Sequence, residues 1–107
     1  MVLVTNYLWR ALFPVLLQSL APGGLLLYET FAVGNETVGK PASADFLLRT
    51  GELLQLCQGL RIVAFEDGFQ SNPERFVQRI AAIQLPSTAA ASWHADRQPT
   101  RYPLSLK

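Results

Sequence analysis

The stretch Leu20–Phe31, LAPGGLLLYETF, decides how the rest of the chain is read. Ala21-Pro22-Gly23-Gly24 is a stop signal, because glycine takes the left-handed conformation that closes a helix and proline cannot continue one. Leu25–Phe31 then runs apolar and turns polar at Glu29 and Thr30, the pattern of a buried strand whose carboxyl end emerges at a surface. A helix arrives at this stretch and a strand leaves it.

Upstream, Leu8, Leu12, Val15, Leu16 and Leu20 recur at three- and four-residue steps, which is one helix face. Pro14 fits only a first turn, where its missing N–H has no partner to lose, so the regular helix is expected to begin near Arg10 or Ala11. Met1–Thr5 (MVLVT) precedes it as a strand apolar on both faces, the signature of a central parallel position. Downstream, Val33–Asp45 is rich in Gly, Asn, Ser and Pro and has no period, so it reads as a long loop, which in a compact domain is usually functional or mobile. Thr50 is expected to cap a short helix, Gly51–Gln58, with Leu53, Leu54 and Cys57 inward and Gly59 closing it. Leu60–Asp67 and Arg75–Leu85 read as strands joined by a turn-rich connection, hence an antiparallel hairpin. From Pro86 the composition shifts to Ser, Thr, Ala, three prolines and scattered charge, which predicts a flexible tail over 86–107 behind a domain over 1–85. The expected order is β-α-β-loop-α-β-β. This is an α/β fold with a mixed sheet of about four strands, two parallel plus a C-terminal antiparallel hairpin, and two to three helices.

Composition bounds the function. With 107 residues, 16% charged and a net charge of +1, there is no field to recruit nucleic acid or an anionic membrane. Leu12–Tyr28 is apolar enough to suggest a span, but Gln18, Ser19 and Pro22-Gly23-Gly24 interrupt it well short of the roughly 20 residues required. A single cysteine, Cys57, excludes an internal disulfide and a thiolate metal cluster. No basic segment precedes an apolar one in the manner of a secretory signal. A cytoplasmic protein without a metal site is expected.

A strand running into VTNYLWR, a helix ending SLAPGG, the strand LLLYETF, and then loop, helix and β-hairpin together resemble the C-terminal half of a class I S-adenosylmethionine-dependent methyltransferase, within the tellurite-resistance type. The resemblance covers Met1 to about Leu85. It implies a partial Rossmann-like fold: the family's sheet runs in the order 3-2-1-4-5-7-6, and these residues correspond to the fourth through seventh strands. The first three strands of that pattern, with the Gly-rich loop that receives the cofactor, have no counterpart here. Ala21–Gly24 precedes a strand, whereas a cofactor loop follows one and opens a helix. The resemblance therefore implies S-adenosylmethionine in complete relatives and no cofactor for this chain alone. Met1–Thr5 is left as a bare apolar edge, a template for pairing, and is expected to pair with its own copy in a homodimer.

Ligands of open α/β sheets sit beyond the carboxyl ends of the strands. By the resemblance, the turn at Asn6 and Tyr7 faces cofactor and acceptor, and Glu29, Thr30 and Phe31 face the acceptor. Asn6 has hydrogen-bonding capacity, Tyr7 and Trp9 are stacking surfaces, and Arg10 can pair with an anion. The structural alternative, favoured for this chain, has Asn6 capping the next helix, Tyr7 and Trp9 packing locally, and Glu29 paired with Arg10 or Lys40. No residue is assigned a catalytic role. Lys40 and Asp45 belong to a loop that could form a lid. Arg61, Glu66, Asp67, Arg75 and Arg79 suit cross-strand ion pairs. Cys57 is read as a small buried hydrophobe. His94, beside Trp93, has no clustering ligand, and Arg97, Arg101 and Tyr102 fall in the expected tail. The functional expectation is a methyltransferase-like protein that is not catalytic alone. The alternative is a dimeric noncatalytic interaction or small-molecule-binding module.

Overall fold

The strand of the deciding stretch, Leu25–Phe31 (β2), lies second in a four-stranded mixed sheet. The computed structural model describes residues 1–85. The expected tail, with Trp93, His94, Arg97, Arg101 and Tyr102, lies outside the described residues. The other elements are Val2–Thr5 (β1), Phe13–Ser19 (α1), Glu52–Leu56 (α2), Arg61–Gln70 (β3) and Arg75–Ile83 (β4), with 3-10 turns at Arg10–Leu12, Asn35–Thr37 and Ala44–Phe46. The spatial order is β1-β2-β4-β3. β1 runs parallel to β2, with Leu3 beside Leu27 and Thr5 beside Glu29. β4 is antiparallel to both β2 and β3. The expected α/β architecture, a parallel pair plus a C-terminal hairpin, is the one observed.

One face of the sheet carries the core. Val2 and Val4 of β1, Leu26 and Tyr28 of β2, Ile80 of β4 and Phe65 of β3 meet Phe13, Leu16, Leu17 and Leu20 from α1 and Leu53, Leu56 and Cys57 from α2. The Phe13 and Tyr28 rings stack at 4.8 Å between centroids, tilted by 38°. This single cluster excludes water from the helix side of the sheet and is the dominant stabilising term. The opposite face carries Leu3, Leu25, Leu27, Ala81 and, further along, Thr5, Glu29, Arg79 and Glu66. No described helix packs on it.

Three expectations are corrected. The first turn after β1 is 3-10, and α1 starts only at Phe13, with Pro14 in its opening turn. Leu8, Leu16 and Leu20 of the expected face join the core, whereas Val15 is exposed and Phe13 is buried in its place. Thr50 does not cap α2; Gly51 does, in the left-handed region at φ 72°, and Leu54 points to solvent. β1 lies at an edge of the described sheet, as expected, with Leu3 62% exposed. β3 extends to Gln70 and is bulged between Ile62 and Ala64, and the hairpin closes through Asn72 at φ 61°.

Candidate functional site

β1, β2 and β3 point the same way, so Asn6-Tyr7, Glu29–Phe31 and Glu66–Gln70 gather at one end of the sheet. The turn leaving β1 is fixed from both sides. Asn6 adopts φ 57°, its N–H donates to the Glu29 carbonyl at 2.9 Å, and the Tyr28 hydroxyl donates to the Tyr7 carbonyl. The Asn6 side chain does not cap the following helical turn, whose N-cap is Trp9 with no side-chain hydrogen bond. Tyr7 and Trp9 do not pack inward; both rings are about half exposed.

Arg10 makes four hydrogen bonds within the protein. Its Nε donates to Glu52 Oε2 at 2.6 Å, and Nη2 donates to Glu52 Oε1 at 3.0 Å and to the Leu47 carbonyl at 2.8 Å. Nη1 donates to the Asp45 carbonyl at 3.2 Å. The anion expected for Arg10 is thus Glu52, not a ligand, and Glu29 is not the partner of Arg10. Glu52 is 3% exposed yet also accepts the Arg49 N–H at 2.8 Å. The Arg10 hydrogen bond holds its carboxyl below the usual carboxylate range against the opposing cost of burial. A carboxylate so held is a structural anion rather than a general base.

On the open face, Thr5, Glu29, Arg79 and Glu66 form one row across all four strands. Arg79 donates through Nη1 to Glu66 Oε1 at 2.7 Å, through Nε to Glu29 Oε1 at 3.3 Å and through Nη2 to Gln70 Oε1 at 2.8 Å. Arg75 adds an ion pair to Glu29 at 3.6 Å and leaves its Nε buried without a partner. Beside this row lies an open cleft of about 260 Å³ between Glu66, Phe69, Gln70, Val77 and Arg79. Of the remaining expected site residues, Thr30 is buried opposite Gln78 on the helix side, and Phe31 lies opposite Val77 on the open side. Lys40 and Asp45 are exposed in the loop.

Three residues that sequence reasoning missed also organise this end: Glu52, Gln78 and Asn35. Buried Gln78 accepts the Leu53 N–H at 3.1 Å and donates to the Arg49 carbonyl at 2.6 Å. Buried Asn35 accepts the Phe76 N–H at 3.1 Å and donates to the Pro41 carbonyl at 3.2 Å. The one available signal is the uncharged polar Gln78 at a position in RFVQRIAAI that shares its face with Phe76 and Ile80.

The amides of the Gly-rich turn and of the first turn of α2 are engaged within the fold. Gly23-Gly24 leads from α1 into β2, and the amides opening α2 are consumed: Gly51 N–H donates to Asp67 Oδ2 at 2.9 Å and Leu53 N–H to Gln78. No anion-binding turn remains there. Cys57 is fully buried, and burial pushes its thiol up to about 11, so it is no nucleophile at neutral pH. Among the described residues no group of three or more His, Cys, Asp or Glu side chains could hold a metal ion. Nor is any described helix long and apolar enough to cross a membrane. No protein-family model matches the chain, and no curated protein matches it.

Proposed function

We propose that residues 1–85 form the acceptor-side half of a methyltransferase-like fold and that this chain does not transfer methyl groups alone. The observation that carries the reading is the strand order β1-β2-β4-β3, with one parallel pair and the last strand inserted antiparallel. The fourth to seventh strands of the resembled family have the same order. Support for the absence of independent catalysis comes from the consumed amides at α2 and from the lack, among the described residues, of a Gly-rich turn running from a strand into a helix. Methyl transfer depends on holding a sulfonium carbon in line with an acceptor, and that requires a site for the nucleoside. A cytoplasmic location accords with the reduced, buried Cys57.

A second reading has specific support in the half-exposed Tyr7, Trp9 and Phe46 rings at the sheet's carboxyl end. These are surfaces on which a planar small molecule or a partner side chain could stack, without catalysis. Titration calorimetry with S-adenosylmethionine and S-adenosylhomocysteine separates the readings. No heat of binding is expected from the 107-residue chain. Micromolar binding of either nucleoside would require a cofactor site in this chain and overturn the proposal.

A further inference from the structure

The two edges of the described sheet are treated oppositely. β3, at one edge, is bulged at Ile62/Ala64 and carries Arg61, Glu66 and Asp67, devices that discourage a second strand from adding. β1, at the other edge, has none: Met1–Trp9 contains no charged side chain, no proline and no bulge. Its open-face side chains, Met1 and Leu3, are 81% and 62% exposed, beside the half-buried Leu27.

The direction of the free backbone groups is set by one hydrogen bond. Asn6 N–H points into the sheet, toward the Glu29 carbonyl. Alternation along a strand then turns Val4 and Val2 toward β2 and turns Thr5 and Leu3 outward. Leu3 and Thr5 therefore present N–H and C=O groups along the edge that no strand among the described residues pairs.

We propose that this edge pairs with β1 of a second copy of the chain, antiparallel about a two-fold axis normal to the sheet, with Leu3 opposite the partner's Leu3. The register is set by symmetry and face. A two-fold axis normal to the sheet keeps each face on its own side, so a residue can oppose only one of its own parity. Leu3 opposite the partner's Leu3 also places outward-pointing backbone against outward-pointing backbone, which makes a hydrogen-bonded pair. Thr5 then meets the partner's Met1, and Val2 meets the partner's Val4. Centring on Val4 instead leaves Met1 beyond the paired segment and removes its bonds. In the Leu3 register the two copies of Met1 stand about 13 Å apart along the strands, four residues of rise. No charged side chain of Met1–Trp9 opposes the pairing. The exposed Leu3 side chains cover each other, and the open faces of both sheets join into one surface.

A second copy is the occupant because its edge supplies what this one lacks: unguarded, uncharged and two-fold self-complementary backbone. The inference does not rest on the methyltransferase reading. Calorimetry tests nucleoside binding and sedimentation tests self-association, so either can fail alone.

The test uses the 107-residue chain with three variants, by sedimentation equilibrium at micromolar concentration and by oxidative cross-linking. The parent chain is expected at twice the chain mass and Leu3→Lys at the single mass, with unchanged circular dichroism because position 3 is largely exposed. Leu3→Cys is expected to form an intermolecular disulfide, since Cα atoms of a hydrogen-bonded pair lie about 5.5 Å apart. Thr5→Cys, exposed on the same face, is expected not to, since the Thr5 positions of the two copies are about 13 Å apart, four residues of rise. A parent chain that sediments as a monomer overturns the proposal and leaves the edge to a different chain. So does a dimer that survives Leu3→Lys, or cross-linking at Thr5 in place of Leu3.

Discussion

Glu52 sits in a nearly dry site and accepts three hydrogen bonds, two from Arg10 and one from the Arg49 amide, so its energetics are those of a partnered buried charge. Desolvation opposes the carboxylate, and the forked hydrogen bonds from Arg10 with the Arg49 amide more than offset it, so the folded-state pKa lies below the usual 4.5. A depressed folded pKa contributes stability that is complete above the unfolded value and is lost as pH falls through the folded one. Glu52→Gln keeps the shape and removes the charge. Breaking a fully buried pair costs about 3–5 kcal/mol. Because Arg10 is 35% exposed and can be solvated, about 1–3 kcal/mol is expected here. Urea unfolding at pH 7 measures that loss, and the gap between parent and variant should narrow below pH 4.5. A gap that stays constant with pH would mean that shape rather than charge holds α2 to the turn after β1.

At the scale of elements, the segment after β2 illustrates what local pattern conveys and what it omits. Val33–Asp45 has no period, and a long mobile loop is its natural reading. The segment is nevertheless fastened: Val33 N–H donates to the Leu48 carbonyl at 2.9 Å, Leu48 N–H donates to the Phe31 carbonyl at 3.0 Å, and Asn35 ties the middle to β4. Gly34 makes this possible. It lies at φ 107°, and a Cβ there would come within 2.7 Å of the Phe76 ring. Gly34→Ala is therefore expected to destabilise the chain by about 1–3 kcal/mol, read as a lower denaturant midpoint; an unchanged midpoint would mean that the loop is not clamped on β4. None of this is visible in composition, because the partners of Asn35 and Gly34 come from a strand distant in sequence. The inner face of α1 is Phe13, Leu16, Leu17 and Leu20, at three- and four-residue steps that keep Leu16 and Leu20 of the expected face and leave Val15 on the solvent side. The strands, with their period of two and clear stops, are legible in the sequence. The Glu66–Arg79 pair is legible as well, since both residues lie on one hairpin. The partner of Glu29 is not, because which strand lies beside β2 is a property of the whole sheet.

The described residues have one core, on one side of one sheet, and two of their titratable groups lie in it. Tyr28 and Cys57 belong to the same cluster, and burial pushes the phenol up to about 12 and the thiol up to about 11. Each is favoured neutral in the folded state. A raised folded pKa contributes stability that is present below the unfolded value and is lost as pH rises through the folded one. The relevant window thus opens near the ordinary thiol and phenol values of 9 and 10 and closes near 11 to 12. Alkaline unfolding is expected there as one cooperative step, with the thiol becoming reactive as the helix signal disappears, since neither group can ionise without wetting the shared core. Tyr28→Phe removes the phenol and its hydrogen bond to the Tyr7 carbonyl. At neutral pH it should cost about 1 kcal/mol, and at alkaline pH that deficit should shrink, because the variant has no buried phenol to protect. Circular dichroism and thiol labelling followed together against pH read both effects. Labelling of Cys57 that precedes the loss of helix would divide the core into separately opening parts and remove the premise that a single helical layer holds the sheet.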